Sequence, residues 1–252
     1  MAFTEPSGWY VISLRPQGEH ASLRRAATAH GARLIALSPW KLRLRTDDAA
    51  RAALGIALDA PRVLFTSPAA VRAAAALLDF RPRPDQAWIA VGSGTAQALR
   101  RAGVGSVQSP ARMDSEGVLE LPVLQELAGL AVGLVTAPEG RGLLAASLRE
   151  RGARLLRADV YVREPIALSP QALRKLSALQ APAFLALSSE GALRHVLAQM
   201  PADLLARLRA APAVAASERL QRIARESGFA EVELAEGPLP HQLLAAMVRC
   251  FR

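Results

Sequence analysis

The sequence predicts an α/β protein built from two parallel-sheet domains, and three observations carry that prediction. Short apolar runs alternate with helical stretches, the chain repeats itself, and two long alternating segments interrupt the repeat at matched positions. The apolar runs are Trp9–Leu14, Val63–Phe65, Trp88–Val91, Ala131–Thr136, Ala183–Leu187 and Ala213–Ala216. Strands alternating with helices are the pattern of parallel sheets and their crossover helices. Helix starts are marked by Ser67-Pro68, where proline at the first helical position loses no hydrogen bond, and by the cap-like pairs Ser217-Glu218 and Ser115-Glu116. Helix ends are marked by Gly31, Gly103, Gly152 and Gly228, each suited to a left-handed terminating residue.

Three pairs of segments carry the repeat. SLRPQGEHASLRRAATAHGARLIAL, Ser13 to Leu37, resembles TAPEGRGLLAASLRERGARLLRADV, Thr136 to Val160. VLFTSPAAVRAAAALL resembles AFLALSSEGALRHVLAQM, and AVGSGTAQALRRAGV resembles AVAASERLQRIARESGF. All three occur in the same order in both halves. A spacing of about 120 residues is too long for a solenoid and indicates two similar domains. The interrupting segments are Leu34–Thr46 and Leu155–Pro165, whose alternation of apolar and polar residues gives each one wet face. They pair as a ladder bridging the domains, or they are ordinary edge strands; periodicity leaves both open.

A chain of 252 residues that is 51% hydrophobic can build a core, and with aromatics at 4% that core must be mostly Leu, Ala and Val. No apolar run approaches the roughly 20 residues of a membrane span, and the N-terminus lacks a secretory pattern, so a cytoplasmic protein is expected. The single cysteine, Cys250, suits a reducing compartment. The net charge of +9 is carried by arginine, with lysine only at 41 and 175. The arginines are dispersed without a basic run, which argues against a nucleic-acid partner. No exposed apolar seam stands out, so a monomer is the default.

Ligands of open α/β sheets bind beyond the carboxyl ends of the strands. That rule selects Arg15-Pro16, Thr66-Ser67, Gly92-Ser93-Gly94-Thr95, Ala137–Gly142, Ser188-Ser189 and Ser217. These are mainly small or hydroxyl residues at helix N-termini, where free backbone N–H groups and the positive dipole end attract anions. Each hydroxyl can equally cap its own helix, and the two roles are compatible. GSGTAQ lacks the Lys-Ser/Thr of a phosphate loop, and Ser67 lacks the Gly-x-Ser-x-Gly elbow of a hydrolase. His20, His30, His195 and His241 have no metal-ligand spacing and read as surface or packing residues. Tyr161 is the most suggestive titratable group, set against a simple packing role. The strand ends are suited to holding a large anion and contain little to attack it.

FTSPAAV, VGSGTAQALRRAGV, SEGVLEL, EGRGLLAASLRERGARL and VYVREP, in this order, resemble the uroporphyrinogen-III synthase family over nearly the whole chain. The resemblance implies two flavodoxin-like domains, residues 1–38 plus 166–252 and residues 47–156, joined by a ladder of 39–46 and 157–165. It implies cyclisation of hydroxymethylbilane, a linear tetrapyrrole with eight carboxylates, with loss of water and inversion of ring D, without cofactor or metal. Tyr161 matches the family tyrosine proposed to hydrogen-bond the departing hydroxyl. Ser67, Thr95 and Arg141 fall on motif positions facing the cleft, and Arg15, Thr66, Ala69, Gly92, Ser93, Gly142, Ser188, Ser189 and Ser217 complete the expected substrate-binding set. Two positions depart from the pattern: Ala69, where many relatives carry Asn or Arg, and Arg219-Leu220, where a Thr-Thr-like pair is common. The implied partners are the tetrapyrrole and, transiently, the upstream enzyme that makes it. The competing reading is a non-catalytic, two-lobed binding or regulatory module for another polyanion.

Overall fold

The computed structural model describes residues 8–112, 115–138 and 142–251. In chain order the first elements are β1 (Tyr10–Ser13), α1 (Ala21–Ala29), β2 (Arg33–Ala36), β3 (Trp40–Leu44), α2 (Asp48–Leu58), β4 (Arg62–Phe65) and α3 (Pro68–Ala75). There follow β5 (Ala87–Ala90), α4 (Ser93–Arg101), α5 (Ser115–Leu119), β6 (Ala131–Thr136), α6 (Gly142–Glu150), β7 (Arg154–Asp159) and β8 (Tyr161–Pro165). The rest are α7 (Pro170–Ser177), β9 (Ala183–Leu187), α8 (Glu190–Gln199), α9 (Ala202–Ala210), β10 (Ala213–Ala215), α10 (Glu218–Glu226), β11 (Val232–Leu234) and α11 (Pro240–Arg249). The chain divides into two units, Met1–Lys41 with Glu164–Arg252, and Leu42–Arg163. Both passages between them lie within β3 and β8, which pair as a two-stranded antiparallel sheet.

The discontinuous unit holds a five-stranded parallel sheet in the order β2-β1-β9-β10-β11. In order of succession within the unit this is 2-1-3-4-5, the flavodoxin-like arrangement. The continuous unit holds β7-β6-β4-β5, also parallel, and Gln108 adds a parallel bridge beside Ile89 on the outer edge of β5. The sequence repeat equates β6 with β1, β7 with β2, β4 with β9 and β5 with β10. Laid out with those equivalences, the two sheets have the same order, with the Gln108 bridge in the place of β11. The units are therefore permuted versions of one scaffold, each starting at a different point of the cycle.

Alternation explains why both sheet faces of the continuous unit are covered. Val63 and Phe65 of β4 and Trp88 and Ala90 of β5 join one core with α2, α3 and α4, while Leu64, Ala87 and Ile89 join another with α5 and α6. Gly133 in β6 is required by packing: a Cβ there would lie 1.9 Å from the carbonyl oxygen of Ala57, so only glycine lets α2 lie this close to the sheet. In the discontinuous unit Leu23 and Ala27 of α1 and Leu243, Leu244 and Met247 of α11 cover Trp9, Val11, Phe184 and Val214. Gly31, Gly103, Gly152 and Gly228 all have positive φ at helix ends, as expected.

The two long alternating segments are each broken in two. Residues 34–46 split at Leu37-Ser38-Pro39 into β2 and β3, and residues 155–165 split at Val160 into β7 and β8. Only the second half of each enters the two-stranded sheet; β2 and β7 belong to the parallel sheets. The break at Pro39 is physical, since proline cannot donate to a ladder and restricts the residue before it. Hydrogen bonds from Arg45 N to the Val160 carbonyl (3.0 Å) and from Ile166 N to the Pro39 carbonyl (3.2 Å) flank the antiparallel pair.

Candidate active site at the strand ends

In the continuous unit, β4 and β6 are the adjacent strands at which the sheet order reverses, and hydroxyls converge there. Thr66 Oγ1 donates to Thr136 Oγ1 at 2.9 Å, and the Thr136 carbonyl accepts the Val160 N–H at 3.0 Å. Three strand ends are thereby tied together, and Tyr161 follows immediately. Ser67 has extended backbone and caps α3, its Oγ accepting from Ala70 N at 3.0 Å. The same Oγ lies 3.3 Å from the Tyr161 hydroxyl. Tyr161 is 5% exposed, so its ring packs in the core and only its polar end reaches the rim. Pro68 has no N–H and Ala70 N is taken by the cap, so the Ala69 amide is the first-turn donor of α3 that no intrahelical acceptor can reach.

The start of α4 stands beside that of α3. A Cβ on Gly94 would meet the Pro68 ring at 3.6 Å. Gly92 caps α4, its carbonyl accepting from Thr95 N and Ala96 N, both at 3.0 Å. Thr95 is buried, while Ser93 and Gly94 are exposed. Gly142 opens α6 and is exposed; Arg141 lies outside the described residues. Among the described residues, no acidic side chain stands in the first turn of α3, α4 or α6, which leaves the positive dipole ends of α3 and α4 uncompensated within their own first turns.

In the discontinuous unit the corresponding reversal lies between β1 and β9. His20, just before α1, is buried between two serines: its Nδ1 is 2.9 Å from Ser13 Oγ and its Nε2 is 2.8 Å from Ser38 Oγ. A neutral imidazole satisfies this by donating to one hydroxyl and accepting from the other. Burial, reinforced by the neighbouring Arg24 and Arg15, pushes its pKa down to about 4. Arg15 is half-buried with Nη1 donating to Ser22 Oγ at 3.1 Å, and burial lowers its pKa. Ser189 and Ser217 cap α8 and α10, accepting from Ala192 N at 3.3 Å and Leu220 N at 3.4 Å; Ser188 is half-buried at the end of β9. Between those two caps, Glu190 of α8 binds Arg219 of α10 through Oε2 and Arg194 through Oε1.

The expected residues therefore gather by unit. Thr66, Ser67, Ala69, Gly92, Ser93, Thr95, Gly142 and Tyr161 belong to the strand ends of the continuous unit, and Arg15, Ser188, Ser189 and Ser217 to those of the other. Sequence reasoning missed Thr136, although the repeat aligns it with Ser13 and so marked a hydroxyl at both strand ends. It read His20 as a packing residue, and nothing local showed its two serine partners. A cavity of about 340 Å³ lined by Gly55, Leu58, Asp59, Leu78, Asp79, Arg81 and Trp88 includes none of the strand-end residues. Among the described residues, no group of three or more His, Cys, Asp or Glu side chains could hold a metal ion, and no helix is long and apolar enough to cross a membrane.

Known proteins share this architecture. A mutant uroporphyrinogen III synthase from the extremely thermophilic bacterium Thermus thermophilus superposes with a TM-score of 0.60 at 20% identity, over 96% of this chain and 98% of that one. The uroporphyrinogen-III synthetase of Helicobacter pylori 26695 gives a TM-score of 0.62 at 16% identity, over 96% and 99%. At these identities the likeness speaks for the fold. Residues 21–245 match the family model described as "Uroporphyrinogen-III synthase HemD". The chain belongs to the uroporphyrinogen-III synthase family.

Proposed function

We propose that this chain is a cyclising lyase that converts hydroxymethylbilane to uroporphyrinogen III in the cytoplasm, with loss of water and inversion of ring D. The observation that carries this reading is the Tyr161–Ser67 contact at 3.3 Å, set among helix-start amides in a chain of this family. The substrate supplies most of the reactivity. Its hydroxymethyl C–O bond breaks as the adjoining pyrrole nitrogen pushes electrons outward, the nitrogen loses its proton, and the oxygen leaves as water. The substituted α carbon of ring D attacks the resulting azafulvene to give a spiro intermediate; the original bond from that carbon to its bridging methylene then breaks, and the free α carbon of ring D closes onto that methylene with loss of its proton. Tyr161 Oη donates to the departing oxygen, with Ser67 holding the phenol in place. The protein's main contribution is then geometric, because bringing two reactive ends together removes a large entropic part of the barrier.

The amides of Ala69 and Gly94, the hydroxyls of Ser93, Ser188, Ser189 and Ser217, and the guanidinium of Arg15 bind carboxylates in this reading, while Thr66 and Ser67 direct their single O–H groups to Thr136 and Tyr161 and line the site. Arg141 and Gly142 extend the set at α6. Ala69 donates through its backbone, so the absence of a polar side chain there does not remove the contact. No cofactor or metal takes part, and the upstream enzyme delivers the unstable substrate by transient contact.

The test is to generate hydroxymethylbilane in the presence of the protein and separate the products by chromatography. Type III isomer is expected. Type I alone at high protein concentration would reject the enzyme reading in favour of a non-catalytic binder.

A further inference from the structure

Equivalent positions of the two units carry different chemistry at one place. Pro68 and Gly94 face each other at the first turns of α3 and α4, where a Cβ on Gly94 would come within 3.6 Å of the proline ring and neither side chain carries charge. Aligning the caps, Ser67 with Ser189 and Gly92 with Ser217, puts Glu190 in the place of Pro68 and Arg219 in the place of Gly94. The same junction between adjacent helix starts is thus an ion pair in the discontinuous unit. Both oxygens of Glu190 are committed, one to Arg219 and one to Arg194. The carboxylate is the more covered partner, its side chain 31% exposed against 38% for Arg219 and 71% for Arg194. Its pKa is lowered by the bond to Arg219 first and that to Arg194 second, so it stays charged.

We infer that Glu190 is a built-in competing anion that holds Arg219 and Arg194 at the ends of β9 and β10, making this rim selective for a carboxylate of a polyanionic tetrapyrrole over small anions. This inference rests on the synthase reading of the preceding subsection. The triad carries two positive charges and one negative, and Glu218 adds a second carboxylate in the first turn of α10, so a lone small anion gains little here. Glu190 also sits in the first turn of α8, where it offsets the positive dipole end. A carboxylate arriving here meets guanidinium N–H groups already shared with Glu190. A free monovalent anion competes poorly with a tethered carboxylate. One arm of a ligand whose other carboxylates are already bound competes well, because its effective concentration is high.

The experiment compares the full-length wild-type protein with Arg219→Gln, Arg219→Lys and Glu190→Gln. Two readouts are used: the KM for hydroxymethylbilane with the isomer ratio, and the affinity for uroporphyrin, a stable octacarboxylate probe followed by its fluorescence. Arg219→Gln is expected to raise KM and weaken probe binding about five- to tenfold at low salt, with kcat moving much less. Arg219→Lys keeps the charge but not the planar fork and falls between. Glu190→Gln is expected to do the opposite, lowering KM about twofold or more and making the enzyme more sensitive to inhibition by inorganic phosphate. Unchanged KM and probe affinity in Arg219→Gln, or equal rises in KM for Arg219→Gln and Glu190→Gln accompanied by lower melting temperatures, would overturn the inference by showing an ion pair that only braces two helices. Probe binding that responds to these variants in a protein forming no type III isomer would reject the synthase reading and keep the grip. Type III formation with no response would do the reverse.

Discussion

The strand ends of the two units are built on one scaffold and differ in the chemistry that joins their adjacent helix starts. In the continuous unit the ends of β4, β5 and β6 meet through hydroxyls and small residues, with Thr66 bonded to Thr136, Ser67 beside Tyr161 and Gly94 facing Pro68, while the ion pair of Arg157 with Asp159 stands apart at the end of β7. At the matching positions the discontinuous unit has Ser188, Ser13, Ser189, Ser38, Glu190 and Arg219, with His20 drawn in to bridge Ser13 and Ser38; Trp40, which like Tyr161 opens a strand of the two-stranded sheet, stands two residues beyond Ser38. Tyr161 and Trp40 make the sharpest pair. Each opens a strand of the two-stranded sheet and each is buried beside the helix that follows an equivalent strand, but the tryptophan packs on Gly191 and His195 while the tyrosine hydroxyl reaches a cap serine. The repeat shares the backbone geometry that exposes amides at helix starts. The side chains differ at the junction of adjacent helix starts, which is uncharged at Pro68 and Gly94 and an ion pair at Glu190 and Arg219. Hydroxyls suit a group whose oxygen must be placed to leave; guanidiniums suit a carboxylate that only needs to be held.

The largest expected effect separates the units by pH. All four histidines lie in the discontinuous unit, and His20 is the one buried between hydroxyls. Its folded pKa of about 4 stands below the ordinary 6.5, so the unfolded chain binds the proton more readily than the folded one. Stability is full above about pH 6.5 and falls as pH drops towards 4, by about 3 kcal/mol in total. In the continuous unit, Asp47 has its pKa lowered from 3.8, first by its hydrogen bond from Arg45 and then by the Ala50 amide, so its contribution is lost only at more acid pH. Urea melts at pH 7 and pH 4.5 should show a large loss for the wild type and a much smaller one for His20→Gln. Identical losses in the two proteins would remove His20 as the cause.

Next in size is Tyr161→Phe. The ring is buried and the change deletes one oxygen, so the fold is retained. Turnover is expected to fall at least tenfold, about 1.4 kcal/mol of barrier. Trp40→Phe, at the start of the other strand of the two-stranded sheet, should lower thermal stability by leaving space against α8 and change turnover far less. Equal rates for Tyr161→Phe and wild type would leave the tyrosine as a packing residue, the role Trp40 plays.

What the sequence made legible follows a physical line. Strands, caps and terminal glycines are local, and the repeat equated β6 with β1 and β4 with β9 because those matches need only short windows. The capping serines at 67, 189 and 217 were visible for the same reason. His20 was not, since its partners stand 7 and 18 residues away and meet it only when β1 and β2 pair. Glu190 and Arg219 are 29 residues apart, and Arg219 showed beforehand only as a departure from a hydroxyl pattern. The long alternating segments gave the ladder but not its limits: periodicity continues through Ser38-Pro39 and Val160, while the chain passes there from a parallel strand into an antiparallel one.

The smallest expected effects test whether capping and ligand binding can be told apart. Ser67 and Ser217 cap their helices in the same way, with the same backbone angles, φ −163° and ψ 158°. Replacing either by alanine should cost about 1 kcal/mol of stability through the lost cap. Only Ser67 also supports Tyr161, so Ser67→Ala should lower kcat severalfold beyond anything the stability loss explains. Ser217→Ala stands instead beside Glu190 and Arg219, where kcat should hold and KM rise modestly. Thermal melts and steady-state kinetics on the two variants measure both quantities. If the two serines shift kcat alike, the division into a positioning rim and a charged rim fails, because the hydroxyls would then act only through their helices.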